Sequence, residues 1–108
     1  MADDAIVVLC TAPDEGVGAT LARGLVDAKL AACVNLVPGV RSFYAWDGEV
    51  HDDAEVQLLI KSRRARFAAL EAWLGEHHPY DVPEIIALPI EVGSKAYLGW
   101  LETQTEAP

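Results

Sequence analysis

The sequence predicts an α+β domain of the split β-α-β kind, one antiparallel sheet with helices packed against it. Three observations carry this reading. Apolar runs of strand length recur at about residues 5–11, 33–46, 55–61 and 84–91. Stretches with helical spacing follow the first and third of these, giving the order β-α-β-β-α-β, and one more helical stretch closes the chain. At 108 residues there is room for a single domain, 1–108, and not for two.

The first run, Ala5 to Thr11, is apolar on both alternating faces, as a central strand covered on both sides should be; Ile6, Val8 and Cys10 share one face, Val7 and Leu9 the other. Pro13 and Asp14 are start signals for a helix over about 14–29, with Val17, Leu21, Leu25 and Ala28 at helical spacing. Gly16-Val17-Gly18 is not a phosphate loop, because Leu21 stands where a third glycine belongs and no Lys-Ser/Thr follows. Cys33 to Val37 reads as strand and resumes as Val40 to Trp46, so Pro38-Gly39 marks a bulge or bend on an edge. Asp47-Gly48 signals a tight hairpin, and the return strand shows clear alternation by 55–61.

A long twisted hairpin projecting beyond the core is expected, and its aromatic residues Phe43, Tyr44 and Trp46 favour contact with another copy. The acidic run Asp47, Glu49, Asp52, Asp53 and Glu55, with His51, lacks the spacing of a calcium loop and reads as a solvated hairpin tip. The second helix is read over 64–77, with Phe67, Leu70, Leu74 and His77 on one face. Arg63, Arg64 and Arg66 crowd its amino end, where the helix dipole disfavours cations. Carboxylates of a neighbouring subunit, a bound anion or simple solvation would each account for them. A last strand over 84–91 precedes Gly93-Ser94, a turn and cap for a helix carrying Tyr97, Trp100 and Leu101.

Composition bounds the function. The hydrophobic content of 52% is high for so small a domain and points to apolar surface buried between subunits. A net charge of −9 repels phosphate backbones and argues against nucleic-acid binding. No apolar run reaches membrane-spanning length and Met1-Ala2-Asp3-Asp4 is acidic, so a soluble cytoplasmic protein without membrane attachment is expected. Cys10 and Cys33 are read as free thiols.

Two of the three histidines sit in His77-His78-Pro79-Tyr80-Asp81-Val82-Pro83-Glu84. The residue before a proline is driven out of the helical region, so the helix stops near His77 and the chain turns at His78-Pro79. On the residues alone, Cys10 is a small core side chain or a ligand, His77 a helix-end residue or a ligand, and His78 a turn residue or a ligand. A thiolate with imidazoles suits Cu(I), Cu(II) or Zn(II) rather than magnesium or calcium. Adjacent histidines diverge, which favours a transient or intersubunit site over a closed structural one. A Cys-His nucleophile would need an orienting third group and an oxyanion site, and neither is legible, so the chain is read as non-enzymatic.

Val8-Leu9-Cys10-Thr11-Ala12-Pro13, Ala31-Ala32-Cys33-Val34-Asn35, Pro38-Gly39, Ser42 with Tyr44 and Trp46, Gly48, Glu55 and Lys61 form the first part of an ordered set. His78-Pro79-Tyr80 with Pro83-Glu84, then Tyr97-Leu98 and Trp100-Leu101, complete it. Over almost the whole chain this set resembles the CutA divalent-cation tolerance proteins. The resemblance implies a ferredoxin-like homotrimer, similar to the PII nitrogen regulators, with strands pairing between subunits around a threefold axis. It also implies copper binding, or binding of zinc or another divalent cation, with Cys10, His77 and His78 at ligand positions and Cys33 as a further thiol. The same resemblance carries two alternatives. One is a small-molecule-sensing trimer, with Lys61, Tyr80 and Glu84 lining a cleft between subunits. The other is an assembly platform, as the family's association with esterase anchoring in animals suggests.

Overall fold

The computed structural model describes residues 4–107. The start of the acidic amino-terminal stretch, residues 1–3, lies outside them. Strand β1 (Ala5–Ala12) buries Ile6, Val8, Cys10 and Ala12 on one face and leaves Val7 and Leu9 partly exposed on the other. Helix α1 (Glu15–Asp27) begins where the Asp14 carboxylate accepts the Val17 N–H at 2.8 Å. It is shorter than the predicted 14–29 because Ala28 caps it and Lys29 adopts a left-handed φ of 60°.

Strand β2 (Cys33–Trp46) is a single 14-residue element, and β3 (Glu49–Arg63) returns from it through Asp47-Gly48. Both turn residues have positive φ, 55° and 77°, the hand that a two-residue hairpin between right-twisted strands requires. The predicted bulge is present: register slips between Val37 and Val40, with Gly39 at φ 77°. Helix α2 (Arg64–His77) has the predicted bounds. Strand β4 (Ile86–Pro89) has four residues instead of the predicted eight, although the Ile90 N–H still donates to the Ala5 carbonyl at 2.9 Å. Helix α3 (Lys95–Gln104) is capped by Ser94, whose hydroxyl accepts the Tyr97 N–H at 3.2 Å.

The sheet order is β2-β3-β1-β4 with every pair antiparallel, the split β-α-β arrangement. Leu21 and Leu25 of α1 and Leu70 and Leu74 of α2 close the main core over Ile6, Val8, Cys10, Leu58 and Ile60. Ala5 belongs instead to a second cluster with Ala32, Leu98 and Leu101. Since neighbours in a strand point to opposite faces, α3 packs on the face away from α1 and α2. On that face Ile86 and Leu88, paired with Leu9 and Val7, stay 52% and 53% exposed.

Of the arginines at the start of α2, Arg63 lies beside a carboxylate of its own chain, an outcome beyond the three the sequence suggested, and Arg66 Nε is buried with no hydrogen-bond partner among the described residues. Asp4 accepts the Ala65 N–H through its side chain at 3.2 Å and the Arg64 N–H through its carbonyl at 2.8 Å. It also lies 4.0 Å from Arg63, which donates to the Thr105 hydroxyl at 2.9 Å. Asp4 thus supplies the negative charge that the first turn of α2 lacks.

Candidate functional site

Thr11, near the end of β1, is where two of the predicted ligands, Cys10 and His78, meet. The Cys10 thiol donates to the Thr11 carbonyl oxygen at 3.6 Å, and His78 Nε2 lies 2.8 Å from the same oxygen. The sulfur and the imidazole nitrogen are therefore separated by no more than the sum of those distances. His78 Nδ1 accepts the Tyr80 N–H at 3.1 Å, so Nε2 carries the proton and donates. This ring is 7% exposed and neutral, with both nitrogens engaged.

His77 goes the other way. Its ring stacks on Trp73 with centroids 3.9 Å apart, and Nδ1 donates to the Trp73 carbonyl at 2.7 Å. Because a carbonyl only accepts, the neutral ring keeps its proton on Nδ1 and offers the Nε2 lone pair. The side chain is exposed. The pair diverges as expected, one ring into the sheet end and the other along the helix.

Cys10 is fully buried, and burial, with Glu84 and Glu55 adding to it, pushes its thiol up to about 12. A metal entering here would have to displace this proton and the two hydrogen bonds to Thr11. Cys33 does not join it. In the ladder Cys10 pairs with Leu58 and Cys33 with Lys61, on opposite sides of β3, three residues apart along that strand. Cys33 instead neighbours the Tyr97 hydroxyl, whose pKa is raised by burial first and Cys33 second. Among the described residues, no group of three or more His, Cys, Asp or Glu side chains is placed to hold a metal ion.

Beside this end of the sheet opens a cleft of about 510 Å³, lined by Thr11, the hairpin and the 80–84 turn. Tyr80 and Glu84, both predicted pocket residues, line it. Lys61 does not: its ammonium donates to the Asn35 side chain and, at 3.3 Å, to the Leu59 carbonyl. The Tyr80 hydroxyl donates to Glu55 Oε2 at 2.6 Å, and the Tyr44 hydroxyl to Asp53 Oδ2 at 2.5 Å. Burial first and the Glu55 carboxylate second hold the Tyr80 phenol well above its usual range.

Glu55 corrects the reading of the acidic run as a solvated tip. It is 8% exposed and lines the cleft, and Asp52, farther out, is tied to Arg41 by two hydrogen bonds of 2.8 and 2.9 Å. Sequence reasoning also missed Ser42, Trp46 and Asp81 as lining residues. The available signal was the two-residue turn at Asp47-Gly48, from which the pairing counts back to Ser42 opposite Asp53 and Val40 opposite Glu55.

Comparison with known proteins bears on this site. A family model described as CutA1 divalent ion tolerance protein matches residues 6–104. The divalent-cation tolerance protein CutA of Pectobacterium atrosepticum is 49% identical over 98 residues, covering 91% of this chain and 89% of that protein. The structure of a divalent cation tolerance protein from Thermus thermophilus superimposes with a TM-score of 0.92 at 49% identity, covering 94% of this chain and 99% of that one. A CutA structure from Archaeoglobus fulgidus, described as periplasmic, gives 0.91 at 34% identity, with 94% and 99% covered.

Proposed function

Because this chain belongs to the CutA1 divalent ion tolerance family, we propose that it serves cation tolerance by binding copper, or zinc in its place, as a homotrimer, without catalysing a reaction. The observation that carries the metal reading is the convergence of the Cys10 thiol and His78 Nε2 on one carbonyl oxygen. A soft or borderline ion that displaces the thiol proton, with the imidazole proton shifting from Nε2 to Nδ1, finds sulfur and nitrogen donors around one carbonyl oxygen. His77, exposed and with Nε2 open, is the donor that first meets a metal from solvent. A second copy or the nearby Glu84 would complete the set. Cys33 is proposed only as a separate thiol. The compartment is proposed to be the cytoplasm, although the Archaeoglobus relative is described as periplasmic; no described helix is long and apolar enough to cross a membrane.

Calorimetric titration of the reduced protein with Cu(I), Cu(II) and Zn(II) tests this. Binding near one ion per chain should release a proton from Cys10, and Cys10→Ala, His77→Ala and His78→Ala should each weaken it at least about tenfold. Unchanged affinity in the triple variant would remove these ligands from the proposal.

A second reading is favoured by one observation, the cleft itself. Its volume is that of a small-ligand pocket, and Tyr80 and Glu84 line it. Binding of a small molecule there is compatible with the metal reading where a second copy, and not Glu84, completes the metal's ligand set.

A further inference from the structure

The cleft has a definite chemistry. Its lining combines the aromatic rings of Phe43, Tyr44, Trp46 and Tyr80 with the carboxylates of Glu55, Asp81 and Glu84, and contains no lysine, arginine or histidine. Glu55 is the telling member. It is 8% exposed, and among the described residues its side chain has one hydrogen bond, from the Tyr80 hydroxyl to Oε2, and no cationic partner. Its Oε1 is not among the buried oxygens that lack a partner and so faces the open cleft, where two further carboxylates add to the negative charge. A cation in the cleft would offset it. A bare divalent ion is a poor match, because the acidic groups do not converge into a cluster able to coordinate one. Aromatic faces, in contrast, attract weakly hydrated organic cations through the ring quadrupole, and carboxylates add a directional charge.

We infer that the cleft between the hairpin and the 80–84 turn binds an organic cation, an amine or quaternary ammonium with an apolar body, with Trp46 and Tyr44 as the aromatic wall and Glu55 and Glu84 as the counter-charge. This rests on the reading of the cleft as a small-molecule site and specifies its ligand class. Tyr80 acts as a positioning residue. Its phenol stays protonated and holds Glu55 Oε2, which leaves Oε1 for the ligand.

The test uses the full-length protein in its native oligomer, with choline as probe and 3,3-dimethylbutan-1-ol as its neutral isostere. Binding is followed by titration calorimetry and by the indole N–H signal of Trp46 in NMR. Choline should shift that signal saturably, and the neutral alcohol should bind at least tenfold more weakly. Glu55→Gln and Trp46→Ala should each weaken choline at least tenfold while leaving the melting temperature within a few degrees and copper binding unchanged. Equal binding of the neutral alcohol, or preferential binding of an anion such as ATP, overturns the cation assignment and leaves the small-molecule reading standing. Mg2+ that produces the same shift and blocks choline also overturns it, since the carboxylates would then serve a hydrated metal. Absence of any shift from all four probes removes the small-molecule reading together with the inference.

Discussion

Cys10 is the residue at which structure and chemistry pull hardest against each other. Burial and two nearby carboxylates hold its thiol at about 12 against an ordinary value of 9.0, so the folded protein keeps a proton that the unfolded chain gives up. The sign follows directly. The contribution to stability is complete below about pH 9 and is lost as pH rises toward 12, at no more than about 1.4 kcal/mol per pH unit. Denaturant unfolding of the reduced protein between pH 8 and pH 11 should show this decline, and Cys10→Ala should flatten it. At pH 8 an alkylating reagent should label Cys33, half-buried at the start of β2, and spare Cys10 until the chain unfolds. Rapid labelling of Cys10 in the native protein would contradict the buried neutral thiol.

At the scale of elements, α1 and α2 meet where Gly24 lies under Trp73. A Cβ at residue 24 would come within 2.4 Å of the indole, a separation that atoms do not tolerate. Gly24→Ala gains about 1 kcal/mol of helix propensity, but the overpacking costs about 1–3 kcal/mol, so a net loss near 1 kcal/mol is expected. Trp73 also stacks on His77, and its displacement should move the His77 ring resonances in NMR. A more stable variant with unchanged His77 signals would show that the indole adjusts freely. The elements were largely legible beforehand, because their signals are local: Asp14 and Ser94 as caps, Asp47-Gly48 as the turn, Pro79 as the stop. The cap that Asp4 lends to α2 was not legible, since it acts across 61 residues of chain. Glu55 was hidden for a related reason: its burial depends on Tyr80, 25 residues away, and a run of acidic residues otherwise reads as surface. The separation of Cys33 from Cys10 appears only once the ladder register is known.

For the whole molecule, the unresolved tension is apolar surface. Away from the cleft, Val50, Ile86, Leu88, Val92 and Trp100 remain exposed in one chain, more apolar surface than an isolated domain of this size usually shows. The proposed trimer would cover much of it, with Ile86 and Leu88 on the open face of the sheet as its inner contacts. Light scattering should give about 35 kDa, three copies of the 11.7 kDa chain. Leu88→Asp should shift the mass to that of one chain, and a mass unmoved by Leu88→Asp would place the contact elsewhere. Each copy carries a charge of −9, so raising salt should strengthen association by screening like charges. This scale was foreshadowed by the hydrophobic content of 52%, but composition does not say which face is involved.

The slip in register between Val37 and Val40 acts as a change of parity. Before it, even-numbered residues of β2 stand opposite even-numbered residues of β3, as Leu36 does opposite Leu58; after it, even stands opposite odd, as Ser42 does opposite Asp53 and Tyr44 opposite His51. Deleting a single residue at Pro38-Gly39 would leave the outer pairs in place, Val40 opposite Glu55 and Tyr44 opposite His51, and would remove only the bend and added twist that the extra residue gives β2. The bulge therefore sets the direction in which the outer hairpin leaves the sheet, and related chains should keep one extra residue of this strand between Val37 and Val40.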